Sequence, residues 1–173
     1  MDAIQAIMTR VSTRQFTDQA IPEDVLHTIL EAGMAGPSAV NARPWSFIVV
    51  RDKAMLNTMA DGNGRAAEPL RKADVGVLIC GDLERAYQGA PDYWVIDATI
   101  ACQNMILAAH ALGVGSVWLG TWPQENKIAA QTELFHLPEG IVPHSIIAFG
   151  YPEGAMKVQP DRYEANRVHF DKW

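Results

Sequence analysis

DYWVIDATIACQNMILAAHALGVGSVWLG, residues 92–120, is the stretch on which the fold turns. No Gly or Pro interrupts it before residue 113, and Asp92 stands where an N-cap would, so it predicts one long helix from Asp92 to about Leu112. Tyr93, Trp94, Val95, Ile96, Ile100, Cys102, Met105, Ile106, Leu107 and Leu112 point in all directions around that axis. A helix that is apolar all round has to be covered all round. One domain of 173 residues can hardly do that, so a partner subunit is the natural supplier of the missing surface. A central helix in a monomeric core is the alternative. Gly113 and Gly115 end the helix, and Ser116–Leu119 reads as a short strand stopped by Gly120.

Working outward, residues 2–9 suggest a short helix. A second helix opens at Pro22, with Glu23 and Asp24 placed well for the helix dipole and an apolar face of Val25, Leu26, Ile29 and Leu30; Gly33 and Gly36 stop it. WSFIVV (45–50) and DVGVLIC (74–80) read as strands, with a helix over 52–60 between them. Beyond Gly120 come a helix opened by Pro123 and a last strand, His144–Phe149. Helices alternate with strands, which predicts helices packed on a central sheet in an α/β or α+β sandwich.

Composition narrows the function classes. Apolar residues are 49% and charged residues 20%, the balance of an ordinary globular protein. A net charge of -6 repels polyanions and argues against nucleic-acid binding and against docking on an anionic membrane. No apolar stretch approaches the length of a membrane span and MDAIQAIMTR lacks the pattern of a secretory leader, so the expected location is cytoplasmic. Cys80 and Cys102 sit apart in apolar segments, as reduced packing residues do. The five histidines are scattered and no metal-ligand spacing occurs. P-loop, HExxH and GxSxG patterns are absent, and the glycines of 113–120 have neither the spacing nor the strand-to-helix context of a dinucleotide fingerprint.

Two constellations remain. In RVSTRQF, an extended backbone would put Arg10, Ser12 and Arg14 in one row, with two guanidinium forks and a hydroxyl suited to a phosphate. Taken alone, this pattern fits a solvated basic turn with a structural Ser better. In GPSAVNARPW (36–45), Pro and Gly fix an irregular loop from which Ser38 and Asn41 can bond either a ligand edge or their own turn.

R-x-S-x-R-x-F, the G-P-S-x-x-N-x-x-P-W loop, LAAHALGVGSVWLG, IIAFGYP and the tail DRYEANRVHFDKW, in this order, resemble the nitroreductase family of FMN-dependent oxidoreductases. The resemblance implies an α+β fold, a central mostly antiparallel sheet flanked by helices, in an intertwined homodimer. Residues 1–173 would form one FMN-binding domain whose tail, 155–173, wraps the partner. The implied cofactor is FMN, with NADH or NADPH as transient co-substrate. The implied reaction is ping-pong hydride transfer to a nitroaromatic, a quinone or a similar conjugated acceptor. Enone reduction, dehydrogenation, dehalogenation and a non-catalytic FMN carrier or sensor are the alternatives. By the same resemblance Arg10, Ser12 and Arg14 hold the phosphate, ribityl chain and pyrimidine edge, and Arg162 closes over the phosphate. Pro37, Ser38 and Asn41 approach the flavin from the other subunit. Gly120, after Trp118 and Leu119 and beside Thr121, offers its N–H to flavin N5. The chain departs from the pattern at Ala39, Arg43 and Pro160, where a second serine, a Gln and a basic residue are frequent. No His, Cys or paired carboxylate lies in these motifs, so the flavin is expected to carry the chemistry and no catalytic side chain is expected. A second pocket, if one is needed, would involve Tyr87 and Trp94.

Overall fold

The computed structural model describes residues 1–155 and 159–173. Its elements are α1 (Ala3–Thr9), α2 (Glu23–Met34), β1 (Trp45–Val50), α3 (Lys53–Asn63), β2 (Val75–Asp82), α4 (Tyr93–Ala111), β3 (Gly115–Gly120), α5 (Glu125–Phe135) and β4 (Ile141–Gly150). The strands form one four-stranded sheet in the order β1-β2-β4-β3, with every pair antiparallel. The expected α+β architecture is therefore the observed one.

Alternation along the strands divides the core in two. Val75, Val77, Ile79, Ile147 and Phe149 face α2 and α4, with Ile29, Ala98, Cys102 and Met105. Leu78, Cys80, Ile146, Ala148, Val117 and Leu119 face the opposite layer, with Leu56 and Met59 of α3 and Leu70 of the 3-10 turn Arg65–Lys72. Because both faces of β2 are covered, its sequence is a continuous apolar run and all but Asp82 is buried. Cutting such a site, as in Leu78→Ala, costs about 2–5 kcal/mol.

Four details differ from the expected outline. Asp92 precedes α4 in helical geometry and makes no capping bond with its side chain. The chain enters α4 through turns that bond Tyr93 N to Ala90 O and Trp94 N to Pro91 O, which leaves the carboxylate no amide to cap. Pro123, in a cis peptide with Trp122, lies two residues before α5 begins. β4 starts at Ile141, three residues early, because Ile141 and Val142 pair with Asp82 and Gly81. The 3-10 turn Arg65–Lys72, which has Pro69 inside it and buries Ala67 and Leu70, has no counterpart in the expected outline.

α4 itself is covered on one side only. Trp94, Ala98, Ala101, Cys102, Met105 and Ala109 are buried, whereas Tyr93 and Ile96 are 47% and 54% exposed and Ile100 is half-buried. Positions 93, 96 and 100 have the spacing of one helix face. The apolar character of the whole circumference is therefore only half explained within one chain. α1 adds Ile4, Ile7 and Met8 to the exposed apolar surface.

Candidate functional site

β3 is an edge strand, and the phase of its ladder decides what that edge offers. It pairs with β4 from Gly115↔Gly150 to Gly120↔Ser145. In an antiparallel pair, residues alternate between bonding the partner strand and pointing their amides away from it. Ser116 shows which are which, because its carbonyl turns outward to accept from Thr13 N at 2.8 Å. Trp118 and Gly120 share its phase, so their N–H groups also face the open edge. On the other phase, Thr121 N follows the ladder to His144 O at 3.3 Å.

The segment holding Arg10, Ser12 and Arg14 lies along this edge. Ser12 bridges Ser116 in parallel sense and Phe16 bridges Pro152, so two isolated bridges tie the segment to the sheet edge. Thr13 is buried while Ser12 and Arg14 are exposed, so the extended alternation expected from the sequence is present for those two. Ser12, Arg14 and Arg162 line a recess of about 390 Å³ together with Gln15, Glu153 and Pro160. Arg14 also lines a second recess, of about 720 Å³, beside Trp118, Leu119 and Gly120. The guanidinium of Arg14 thus stands where the two recesses meet. Arg10 lines neither; its carbonyl accepts from Gln159 Nε2, and its charge helps, after burial, to depress the pKa of His110.

Thr121 is buried, and its hydroxyl donates to Asn63 Oδ1 at 2.8 Å. The amide of Asn63 in turn donates to Gly120 O at 3.2 Å, and Lys127 Nζ donates to the same carbonyl at 3.1 Å. Asn63, held by Thr121, and Lys127 therefore fix the Gly120 carbonyl on the open edge to which the ladder phase also directs its N–H. Behind β3, His144 makes edge contacts with Trp94 and Trp118, each with ring centroids 5.8 Å apart, and Trp94 meets Trp122 at 5.1 Å. Burial pushes His144 down to about 4 and Cys102 up to about 12, so at neutral pH both are uncharged packing groups. Trp94 belongs to this interior cluster, and neither it nor Tyr87 lines the two recesses.

Pro37, Ser38 and Asn41 line neither recess. Their loop lies against α4: a Cβ added at Gly36 would come within 2.8 Å of Ile100, and Ala39 N donates to Asp97 Oδ1 at 3.0 Å. Val40, Asn41 and Arg43 all have positive φ, at 47°, 59° and 50°. For a β-branched residue such as Val40 this is costly backbone, held here by surroundings that include the Ser38 Oγ acceptor for Arg43 N at 2.8 Å. Asp97 is 2% exposed, and its Oδ2 has no partner among the described residues. The loop therefore sits beside the exposed apolar stripe of α4.

Sequence reading missed Asn63, Asp97, Arg65, Lys72 and Lys127. None lies in a motif; only tertiary structure carries them to the Gly120 peptide, the loop or the larger recess. No group of three or more His, Cys, Asp or Glu side chains placed for a metal ion occurs among the described residues. None of their helices is long and apolar enough to cross a membrane.

The chain is thus an α+β protein whose edge strand carries an outward glycine amide beside exposed Ser12 and Arg14. The sequence model of the Nitroreductase family matches residues 7–74 and 60–151, and the chain belongs to that family of oxidoreductases. A Methanothermobacter thermautotrophicus protein, provisionally named NADH dehydrogenase/NAD(P)H nitroreductase, is 40% identical over 173 residues, 100% of this chain and 88% of its own. An FMN-dependent nitroreductase from Clostridium difficile superposes with a TM-score of 0.89 at 29% identity, covering 98% of this chain and 99% of its own. A provisionally assigned nitroreductase from Desulfovibrio desulfuricans, solved in complex with FMN, gives 0.82 at 32% identity, with 99% and 97% covered.

Proposed function

We propose that the chain is an FMN-dependent NAD(P)H oxidoreductase, active as a homodimer, that reduces a nitroaromatic, a quinone or a similar conjugated acceptor. The observation that carries this is the position of Arg14 between two recesses, beside the outward amide of Gly120. The donor set fits a phosphorylated flavin. Ser12, Arg14 and Arg162 share one recess, and among the described residues neither arginine is in an ion pair. Unpaired guanidinium groups beside a hydroxyl suit a phosphate. A Cβ at Gly120 would meet nothing within 4 Å, so the edge is open to a planar group.

FMN held by Ser12, Arg14 and Arg162 would supply two-electron hydride chemistry between NADH or NADPH and the acceptor. Gly120 N–H would be the donor offered to a flavin ring nitrogen at this edge, while Asn63 and Lys127 hold the Gly120 carbonyl on the same edge. Arg14 places a positive charge at the junction of the recesses, favouring a ring system that has gained electrons. Arg162 and Ser12 bind the phosphate end, and Arg10 adds its charge from nearby. His144 stays neutral and buried, so it donates no proton at neutral pH.

The dimer follows from surfaces a single chain leaves uncovered. Tyr93, Ile96 and Ile100 of α4 border the loop of Pro37, Ser38 and Asn41, and one partner surface could cover the stripe while receiving that loop. The tail exposes Tyr163, Phe170 and Trp173 by 73%, 84% and 102%, as a segment that docks on another chain does. A Ser38 and Asn41 contribution to the partner's flavin would then place each site across the interface.

Steady-state kinetics test the proposal. Nicotinamide and acceptor share one open face, so double-reciprocal plots at several acceptor concentrations should be parallel. Intersecting lines with a demonstrable ternary complex would contradict one shared face. FMN binding without turnover would identify a carrier instead.

A further inference from the structure

Between Ser38 and Arg43 the hydrogen bonds run within the segment itself: Asn41 N donates to Ser38 O at 3.0 Å, Ala42 N to Ala39 O at 2.9 Å and Arg43 N to Ser38 Oγ at 2.8 Å. Among the described residues one hydrogen bond ties this segment to the rest of the chain, and it runs from Ala39 N to Asp97 Oδ1 at 3.0 Å. Asp97 spends nothing elsewhere: its other oxygen is buried and has no partner among the described residues. A carboxylate that is 2% exposed, on α4, is thus aimed at a single loop amide. What the bond holds is costly backbone. Val40, Asn41 and Arg43 have φ of 47°, 59° and 50°, and Val40 is 72% exposed, so packing of its own side chain does not repay the left-handed conformation. Without the tether the segment would relax toward negative φ, and Ser38 and Asn41 would turn with it.

We propose that Asp97 is a positioning residue for the flavin site of the other subunit: through the Ala39 amide it holds the loop in the shape in which Ser38 and Asn41 meet the partner's flavin. The proposal rests on the dimeric, FMN-dependent reading above and names the residue on which the loop's share of that site depends. Asp97 lies on the same helix as Tyr93, Ile96 and Ile100, the apolar stripe that a second copy would cover. A Cβ at Gly36 would come within 2.8 Å of Ile100, so the start of the loop is also packed on that stripe. Docking of the stripe therefore sets where the loop goes. Asp97, Ser38 and Asn41 line neither recess of their own subunit, so the loop is placed to act on the other flavin. An ionised acceptor suits this task, because a bond from a backbone N–H to a carboxylate is roughly twice as strong as one to a neutral oxygen.

Mixed dimers separate this role from a contribution to the fold alone. In fluorescence titrations Asp97→Ala should weaken FMN binding about 10-fold, and Asp97→Asn, which keeps an acceptor oxygen, should recover most of the loss. An Asp97→Ala chain co-expressed with an Arg14→Ala chain, and isolated through different tags on the two, forms a dimer with one undamaged site, built from Arg14 of the first chain and the loop of the second. One FMN per mixed dimer should then bind with the affinity of the unaltered protein, although neither parent homodimer binds it so tightly. If Asp97 serves its own subunit's flavin, or only the fold, both sites of the mixed dimer are damaged, and the absence of a full-affinity site would overturn the proposal. So would an Asp97→Ala homodimer that binds FMN as tightly as the unaltered protein. Should Asp97→Ala fail to fold, Ala39→Pro takes its place in the mixed dimer: it removes the amide from the loop side, and Ser38 before it is already extended, at φ -141° and ψ 159°, as a following proline requires. An unaltered protein that takes up no FMN refutes the oxidoreductase reading, whereas one that binds FMN without complementation in the mixed dimer refutes this inference alone.

Discussion

Gly115 and Gly120 open and close the same strand, and Ala at each should produce opposite signatures. At Gly115 an added Cβ would lie 2.8 Å from both Cβ and Cγ2 of Thr13 and 2.9 Å from its Oγ1. Thr13 cannot swing aside freely, being β-branched, buried and tied to Ser116 O through its own amide. Either the core strains or the Ser12–Arg14 row lifts from the sheet edge. Overpacking of this kind costs about 1–3 kcal/mol, which for a chain of this size lowers Tm by roughly 3–10 °C. Lifting the row weakens at least one charge-assisted bond worth about 1.5–3 kcal/mol, so FMN should bind about 10–100-fold more weakly. At Gly120 the new methyl meets nothing within 4 Å, so apoprotein stability should hold or rise by up to about 1 kcal/mol. FMN affinity should nevertheless fall, because the methyl stands at the proposed flavin edge. Thermal melts of apoprotein and fluorescence titration with FMN separate the two cases. A Gly115→Ala protein that melts within a degree of the unaltered chain and binds FMN equally well would refute the reasoning.

Three further outcomes are expected. Arg14→Ala and Arg162→Ala should each weaken FMN binding about 10–100-fold with Tm nearly unchanged, and unchanged affinity in both would show the site to be misplaced. Asp97→Ala removes the acceptor for Ala39 N and should destabilise the protein by about 1.5–3 kcal/mol in urea melts, with Asp97→Asn recovering much of the loss; equal stability of the alanine variant would deny the aspartate its hold on the loop. His144 has its pKa lowered by burial to about 4 from 6.5, so the unfolded chain takes up a proton there before the native one. Its contribution is complete above pH 6.5 and is lost as pH falls toward 4, amounting to about 3 kcal/mol, and His144→Gln should flatten the stability profile across that window.

Much of this was legible in the sequence, for reasons that differ by element. β1 and β2 announced themselves because apolar, β-branched runs between turn residues leave little alternative. The uniform apolarity of α4 signalled burial on every side, but one chain covers only half, and composition cannot say which half. Ser12 and Arg14 could be paired from period-two spacing, and Gly120 from the resemblance. Arg65, Lys72 and Lys127 could not, because no motif contains them and only tertiary packing brings the Arg65–Lys72 turn and α5 to one recess. Asp97 was hidden for the opposite reason: within an apolar helix it reads as a solvent-facing interruption, whereas it is 2% exposed and bonded to a loop 58 residues away.

The most direct test of the central claim is to denature the purified protein, chromatograph what it releases, and titrate the intact protein anaerobically with NADPH while following the flavin absorbance. The account predicts a yellow protein that releases FMN, about one per chain, and whose visible absorbance bleaches as NADPH is added. A colourless protein that cannot be reconstituted with FMN, or a bound flavin that neither NADPH nor NADH reduces, would contradict it.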